Sequence, residues 1–547
     1  MDFTTLDIII FTGYCLLIIG MGLFVSREKK GHEKNAQDYF LASKALPWWA
    51  VGASLIASNI SAEQFIGMSG SGYALGLAIS TYEWMAAATL LVVGVFFLPI
   101  YLKEGIYTMP QFLHRRYDSR VRLVMAVFWL MIYVFVNLTS VLYLGALSLE
   151  TIMGVPLPYG IGGLALFAMI YSIYGGLKAV AWTDVVQVVF LVAGGLATTY
   201  LALSLVGEGS AWDGITLLKA EAPKHFSMIV QKGELMIPDG AGGFRDAYMD
   251  LPGLSVLIGS MWIINLTYWG CNQYITQRAL AAKSLNEAQK GMVFAGFLKL
   301  LMPLIVVVPG IAAYVIVEKG IDISFIDSMK DGAGGLIKSD RAYPTLLQLL
   351  PTGLKGLAFA ALTAAIVSSL ASMANSTSTI FTIDIYRAYI NKGISEVKQV
   401  QVGRITTLVA FIIAALVAPQ LQNLDQAFQY IQEYTGFVSP GVFAIFIFGF
   451  FWKKTTSDAA LAAAVLTIPL SAVFKFLTPN LPFIDRMGVV FLILAVMMIV
   501  ISLIQGKGKD SEKAITIDAS LFKTSYGFKW GAAFIVLALI ILYAVFW

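Results

Sequence analysis

Leu46-Pro-Trp-Trp-Ala-Val-Gly-Ala-Ser-Leu-Ile-Ala-Ser-Asn-Ile-Ser-Ala-Glu-Gln-Phe-Ile-Gly-Met-Ser-Gly-Ser-Gly72 is apolar at its start and polar in its middle. Ser54, Ser58, Asn59, Ser61, Glu63 and Gln64 crowd its centre, and glycines and serines follow from Gly67 onward. A bilayer core offers no water, so backbone that leaves helical geometry there must be buried in protein or line a cavity. Polar side chains at that depth need partners or a ligand. The stretch reads as a membrane helix broken at a binding site.

Composition supports a membrane setting. The chain has 547 residues, 58% of them hydrophobic and 13% charged, with a mean hydropathy of +0.78. A soluble domain carries about 25% charged residues. Net charge is +4, and the basic residues sit between apolar runs, so nucleic acid is not an expected partner. Cys15 and Cys271 fall inside apolar runs, and His32, His114 and His225 fall in loops without ligand spacing. Neither a disulfide framework nor zinc or histidine-based catalysis is expected. The first run, 6–25, lacks a basic leader and a small-residue cleavage site, so it reads as a membrane helix.

A span takes roughly 17–25 apolar residues, and on that basis we expect an all-α polytopic protein with about fourteen transmembrane helices. Alternate loops hold 25 lysines and arginines and the opposite loops 11, with Lys299 alone inside a span. Basic residues favour the cytoplasmic side, which predicts both termini on the extracytoplasmic side of the cell's inner membrane. The organisation predicted is one transporter domain over 1–547: an extra helix at 6–25, a five-helix repeat at 46–206, a second at 252–451, and three further helices at 457–546. The run Gly259–Tyr274 is interrupted like 46–72 and lies five spans later. Paired broken helices in matching positions point to a transporter site built from inverted repeats.

Several side chains in these runs suggest a solute site. Asn59 and Gln64 offer amides beside the break. Glu83, in Tyr82-Glu83-Trp84, is a carboxylate that could accept from a polyol, although an interfacial position is the competing reading. Lys299 in Phe297–Leu301 is either a donor to solute oxygens and partner for Glu83, or a snorkelling lysine. Asn265 and Tyr268 share a helical face and pair an amide with a ring, a common way to hold a sugar. Phe428 and Gln432 share another face, and Met68 lies one turn beyond Gln64. They read as an apolar lid above polar contacts, with ordinary packing equally open. Ala365, Ser368 and Ser369 lie on one side of a small-residue helix. With the carbonyls of Ala57 and Ile60 they could form a neutral, weak site for sodium, a hard cation that wants oxygen ligands. Close helix packing through small residues competes with that reading.

Asn59-Ile-Ser-Ala-Glu-Gln64, Tyr171-Ser-Ile-Tyr-Gly-Gly-Leu177 with Trp182-Thr-Asp184, Tyr268-Trp-Gly-Cys-Asn-Gln273 with Gln277-Arg278, Ser368-Ser369 and Gln429-Tyr-Ile-Gln-Glu-Tyr434 together resemble the sodium/solute symporter family, specifically its sodium/glucose-type branch. The resemblance spans nearly the whole chain. It implies a LeuT-like fold with a 5+5 inverted repeat whose first and sixth core helices are broken. It implies co-transported sodium at Ala57, Ile60, Ala365, Ser368 and Ser369, and a sugar held by Asn59, Gln64, Glu83, Asn265, Lys299 and Gln432. Tyr268 would close the inner side; Met68, Tyr82 and Phe428 would form the outer lid; Asp184 would sit on the inward sodium path. One position departs: galactose-carrying members have a serine three residues after the glutamate, where this chain has Ala86. The expected activity is sodium-coupled import of a neutral monosaccharide, not enzymatic turnover. Symport of an inositol, sialic acid or amino acid such as proline is the alternative.

Overall fold

The computed structural model describes residues 4–25, 44–106, 108–238, 243–330, 335–423 and 426–547, with the side chains of 23, 171 and 174–179 also outside the description. The basic residues 27–34, Lys178 and most side chains of the Tyr171–Leu177 motif therefore lie outside the described residues.

The protein is almost wholly helical. Among the described residues, ten helices are long and apolar enough to cross a membrane, or up to twelve if each of two bent pairs is one span. These bent pairs are Ala247–Ile258 with Met261–Cys271, turning by 80°, and Ala427–Thr435 with Ser439–Phe451, turning by 47°. Glu63–Glu104 joins the end of the broken helix at 46–72 to the helix that follows it, and part of Leu157–Val206 lies outside the description, so these counts do not test the expected fourteen. Where a loop was expected near Lys178, the backbone stays helical from Leu157 to Val206.

The broken helix at the centre of the sequence reading starts as α1 (Trp48–Asn59). It ends at Ile60, where φ −76° and ψ 93° are extended. A π-helical turn follows over Glu63–Met68, then α2 (Ser69–Leu75). Its counterpart is α3 (Met261–Leu266), a π-helical turn over Thr267–Cys271, an extended Asn272, and α4 (Gln273–Leu280). The Leu46 N–H donates to the Ala281 carbonyl, and the Lys283 N–H to that of Leu46. The start of one broken helix thus meets the end of the other.

Both halves of the first broken helix pack along α5 (Leu285–Glu318). Glycine makes this possible at two levels. A Cβ on Gly52 would lie 2.7 Å from the Gly291 carbonyl oxygen, and one on Gly310 would lie 2.2 Å from that of Ser69. Across the core runs α6 (Leu354–Ile380), which carries Ser368 and Ser369. Its N-terminus is capped from outside its own sequence: Asp7 Oδ1, on the extra helix Thr5–Val25, accepts from the N–H groups of Gly353 and Gly356 at 2.7 and 2.9 Å. Orphan N–H groups at a helix start need such an acceptor. Between Val206 and α3 the chain carries a helix Ala211–Glu221 and a hairpin of Met236–Pro238 with Phe244–Asp246, and between α5 and α6 a short helix Ile323–Met329.

Candidate functional site

The break at Ile60 releases a carbonyl. In a continuing helix the Ser61 N–H would donate to Ala57, but here it donates to Gln64 Oε1 at 3.2 Å. The Ser369 hydroxyl donates into the gap, 3.3 Å from the Ala57 carbonyl oxygen and 3.3 Å from that of Ser58. Ala365 lies buried one turn earlier on α6, and the Ile60 N–H closes the last turn of α1 on the Ile56 carbonyl. The Ser368 hydroxyl takes another direction and donates to Asp184. Ser54 donates to the other oxygen of Asp184 at 2.5 Å, and Ser58 donates to the Ser54 carbonyl at 2.6 Å. Asp184, fully buried, therefore ties α1 to α6 beside the released carbonyls. Arg278 reaches the same region by donating to the Ser372 hydroxyl.

A few residues away lies a cavity lined by Asn59, Glu63, Gln64, Tyr82, Glu83, Ala86, Ile264, Asn265, Tyr268, Trp269, Lys299, Phe428 and Gln432. Every expected sugar contact is on that lining. Lys299 does not snorkel. Its side chain is 1% exposed, and its Nζ lies 2.5 Å from Glu83 Oε2. It also donates to Asn59 Oδ1, and sits 5.1 Å from the centre of the Trp269 ring. Asn59 Nδ2 donates to the Tyr268 hydroxyl at 2.9 Å, which in turn lies 2.5 Å from that of Tyr274. Asn265 Nδ2 donates to the Met261 carbonyl at 3.2 Å.

The cavity encloses about 40 Å³, far below the roughly 300–1,000 Å³ of ordinary small-molecule sites. Its polar groups have closed on one another, so a molecule of hexose size needs them to part. Tyr82 and Phe428, two of the residues expected in an outer lid, both line it, with rings 5.1 Å apart and at 89°. Phe428 stands on α7 (Ala427–Thr435), whose first N–H donates to Asp340 Oδ2 at 2.9 Å. Met68, expected in the lid, is buried but does not line the cavity. The π-helical turn explains this, because its bonds span five residues rather than four and shift the facing positions. Gly67 meets Phe428 instead, where an added Cβ would lie 3.1 Å from that of Phe428. On the far side of Tyr268 a second cavity, lined by Tyr133, Thr267 and Asn272 among others, shares Ile264, Tyr268 and Gln432 with the first. Tyr268 thus stands between two chambers.

The sequence reading named Ser54 only as part of the break and Trp269 and Arg278 only within the family motifs, and gave no individual role to these or to Tyr274. Trp269 was adjacent to a residue singled out, and Ser54 is one turn before Ser58. For Tyr274 and Arg278 the signal was their place at the end of the second broken run.

Residues 39–467 match the model of the sodium:solute symporter family. A sodium/glucose cotransporter of Vibrio parahaemolyticus is 54% identical over 99% of this chain and 98% of its own length. The human sodium/myo-inositol cotransporter 2 is 35% identical over 83% of this chain and 67% of its own. Among solved structures, a Na+-coupled sialic acid symporter in a substrate-bound outward-open state superposes with a TM-score of 0.76, at 23% identity, covering 92% of this chain and 98% of that one. That likeness is one of fold.

Proposed function

The chain belongs to the sodium:solute symporter family, and from that membership we propose that it imports a neutral monosaccharide of the glucose or galactose type together with sodium. The observation that carries this reading is the juxtaposition of two oxygen-rich sites on one broken helix. The carbonyls of Ala57 and Ser58 face the Ser369 hydroxyl, while Asn59 meets Lys299. Sodium would be held by Ala57, Ile60, Ala365, Ser368 and Ser369, and would leave inward past Asp184. The sugar would be held by Asn59, Gln64, Glu83, Asn265, Lys299 and Gln432, with Tyr82 and Phe428 above it and Tyr268 below. Its hydroxyls would compete with Asn59 and Glu83 for the Lys299 ammonium. Ala86 leaves one wall of the cavity without a hydroxyl, which bears on the choice among hexoses.

Transport would follow alternating access, one helical bundle rocking against the other around a fixed site. A membrane potential of ~100 mV supplies about 2.3 kcal/mol per charge, and a tenfold sodium gradient adds about 1.4 kcal/mol. One sodium per sugar would then support accumulation of several hundredfold. The carrier would lie in the cell's inner membrane with both termini outside, in keeping with the loop charges.

Uptake of labelled glucose, galactose, myo-inositol and proline into proteoliposomes, with and without an inward sodium gradient, tests the reading. Sodium-driven hexose accumulation is expected. Sodium-independent hexose entry would overturn the coupling, and proline or inositol uptake without hexose uptake would overturn the solute.

A further inference from the structure

Glu63 has no place in the account above. It is 5% exposed, lines the cavity, and its Oε1 is buried without a hydrogen-bond partner. Its neighbours do not relieve it. The backbone N–H of Glu63 is taken by the Ser61 hydroxyl at 3.3 Å. Lys299, the one cation on the lining, is engaged by Glu83 and Asn59. Among the described residues no ion pair involves Glu63. The cavity therefore holds two carboxylates, Glu63 and Glu83, against a single ammonium.

A buried carboxylate without a partner is costly, so it takes up a proton or keeps its charge only where a ligand supplies what is missing. A ligand can do so in two ways. A hydroxyl can donate one hydrogen bond, which leaves the excess charge in place. A protonated amine donates up to three hydrogen bonds and cancels the charge, and charge-assisted bonds are about twice as strong as neutral ones. The second chemistry matches the cavity's imbalance.

We propose that this cavity also accepts hexoses bearing a protonated amino group, with the Glu63 carboxylate as their counter-charge. The proposal rests on the sugar reading of the site and extends its substrate class to amino sugars. Glutamine in place of Glu63 separates the two chemistries. Its amide oxygen accepts from a sugar hydroxyl as a carboxylate does, but carries no charge for an ammonium.

The test is competition against labelled glucose in proteoliposomes with an inward sodium gradient, at a pH below the amine pKa. Competitors are unlabelled glucose, glucosamine, 3-amino-3-deoxyglucose and the neutral N-acetylglucosamine. In the unaltered protein at least one amine is expected to compete as well as glucose, and better than N-acetylglucosamine. Glu63→Gln is expected to weaken that amine relative to glucose by about tenfold or more, because losing a desolvated charge partner costs at least that factor. Normal glucose uptake with no competition by either amine overturns the proposal and leaves the sugar reading standing. So does an unchanged amine-to-glucose ratio in Glu63→Gln. Absence of sodium-driven glucose uptake overturns the sugar reading, and the proposal falls with it.

Discussion

The Lys299 ammonium and the Glu83 carboxylate, 216 residues apart in sequence, meet at 2.5 Å with both side chains almost wholly buried. Breaking such a pair from one side leaves an uncompensated charge and costs about 3–5 kcal/mol. Lys299→Met and Glu83→Gln are each expected to lower the melting temperature in detergent and to abolish sugar uptake. The double variant should regain thermal stability and stay inactive. A Lys299→Met protein with unchanged melting and uptake would remove the pair from both roles.

Ser369 offers one hydroxyl to two released carbonyls. Ser369→Ala deletes one of the oxygens proposed to hold sodium, and a tenfold loss of sodium affinity corresponds to about 1.4 kcal/mol. Sodium-driven uptake at sub-saturating sodium should fall about tenfold, with partial recovery as sodium is raised. Measuring uptake across a sodium series checks this, and a curve superimposable on the unaltered protein's would rule Ser369 out as a ligand.

Gly70 lies beneath the segment that caps the lid helix. A Cβ there would come within 2.5 Å of Asp340 Oδ1 and 2.9 Å of the Asp340 backbone nitrogen, while the other oxygen of Asp340 holds the first N–H of α7. Gly70→Ala is expected to push α7 off its seat and expose Phe428. A cysteine at position 428 should then label faster with an impermeant thiol reagent in the Gly70→Ala background. Equal labelling rates would mean that the lid does not depend on this approach.

His225 supplies a pH prediction outside the membrane-spanning segments. Its ring stacks on Tyr314 with centroids 4.1 Å apart, and Nε2 lies 3.1 Å from the Tyr73 carbonyl oxygen, so it carries the proton of a neutral ring. Burial pushes its pKa down from 6.5 to about 4. The unfolded chain takes a second proton onto this ring as pH falls through 6.5, whereas the folded chain resists until about 4, so folding stability is lost across that window. Melting temperature should decline from pH 6.5 to 4 more steeply than in His225→Gln. Parallel profiles would show that this histidine is not what sets the decline.

How much of this was legible beforehand depends on the kind of residue. A carboxylate and an ammonium within apolar runs each need a partner, so Glu83 and Lys299 announced each other. The break near Ile60 was legible from the density of polar residues around it. Contacts set by three-dimensional approach were not. Nothing in the spacing of Asp7 reveals that it caps a helix 346 residues away. The hydroxyl of Ser368 could equally have faced Ala365's side or Asp184, and only the packing of α1 against α6 turns it to Asp184. That Met68 stays off the cavity wall was not legible either, because a π-helical turn has no distinct sequence signature and shifts the four-residue spacing to five.

Ala57 and Asn59 are two residues apart on the stretch that leaves the helix at Ile60. One faces Ser369 through its carbonyl, the other meets Lys299 through its amide. Two ligands bound to one deformable segment obey thermodynamic reciprocity: whatever factor sodium adds to solute affinity, solute adds to sodium affinity. A solute chosen to bind more tightly would therefore also hold sodium longer on the inward side. If sodium and sugar bind there as proposed, the break at Ile60 would limit turnover as well as enable coupling, and affinity at one site would have to be balanced against release at the other.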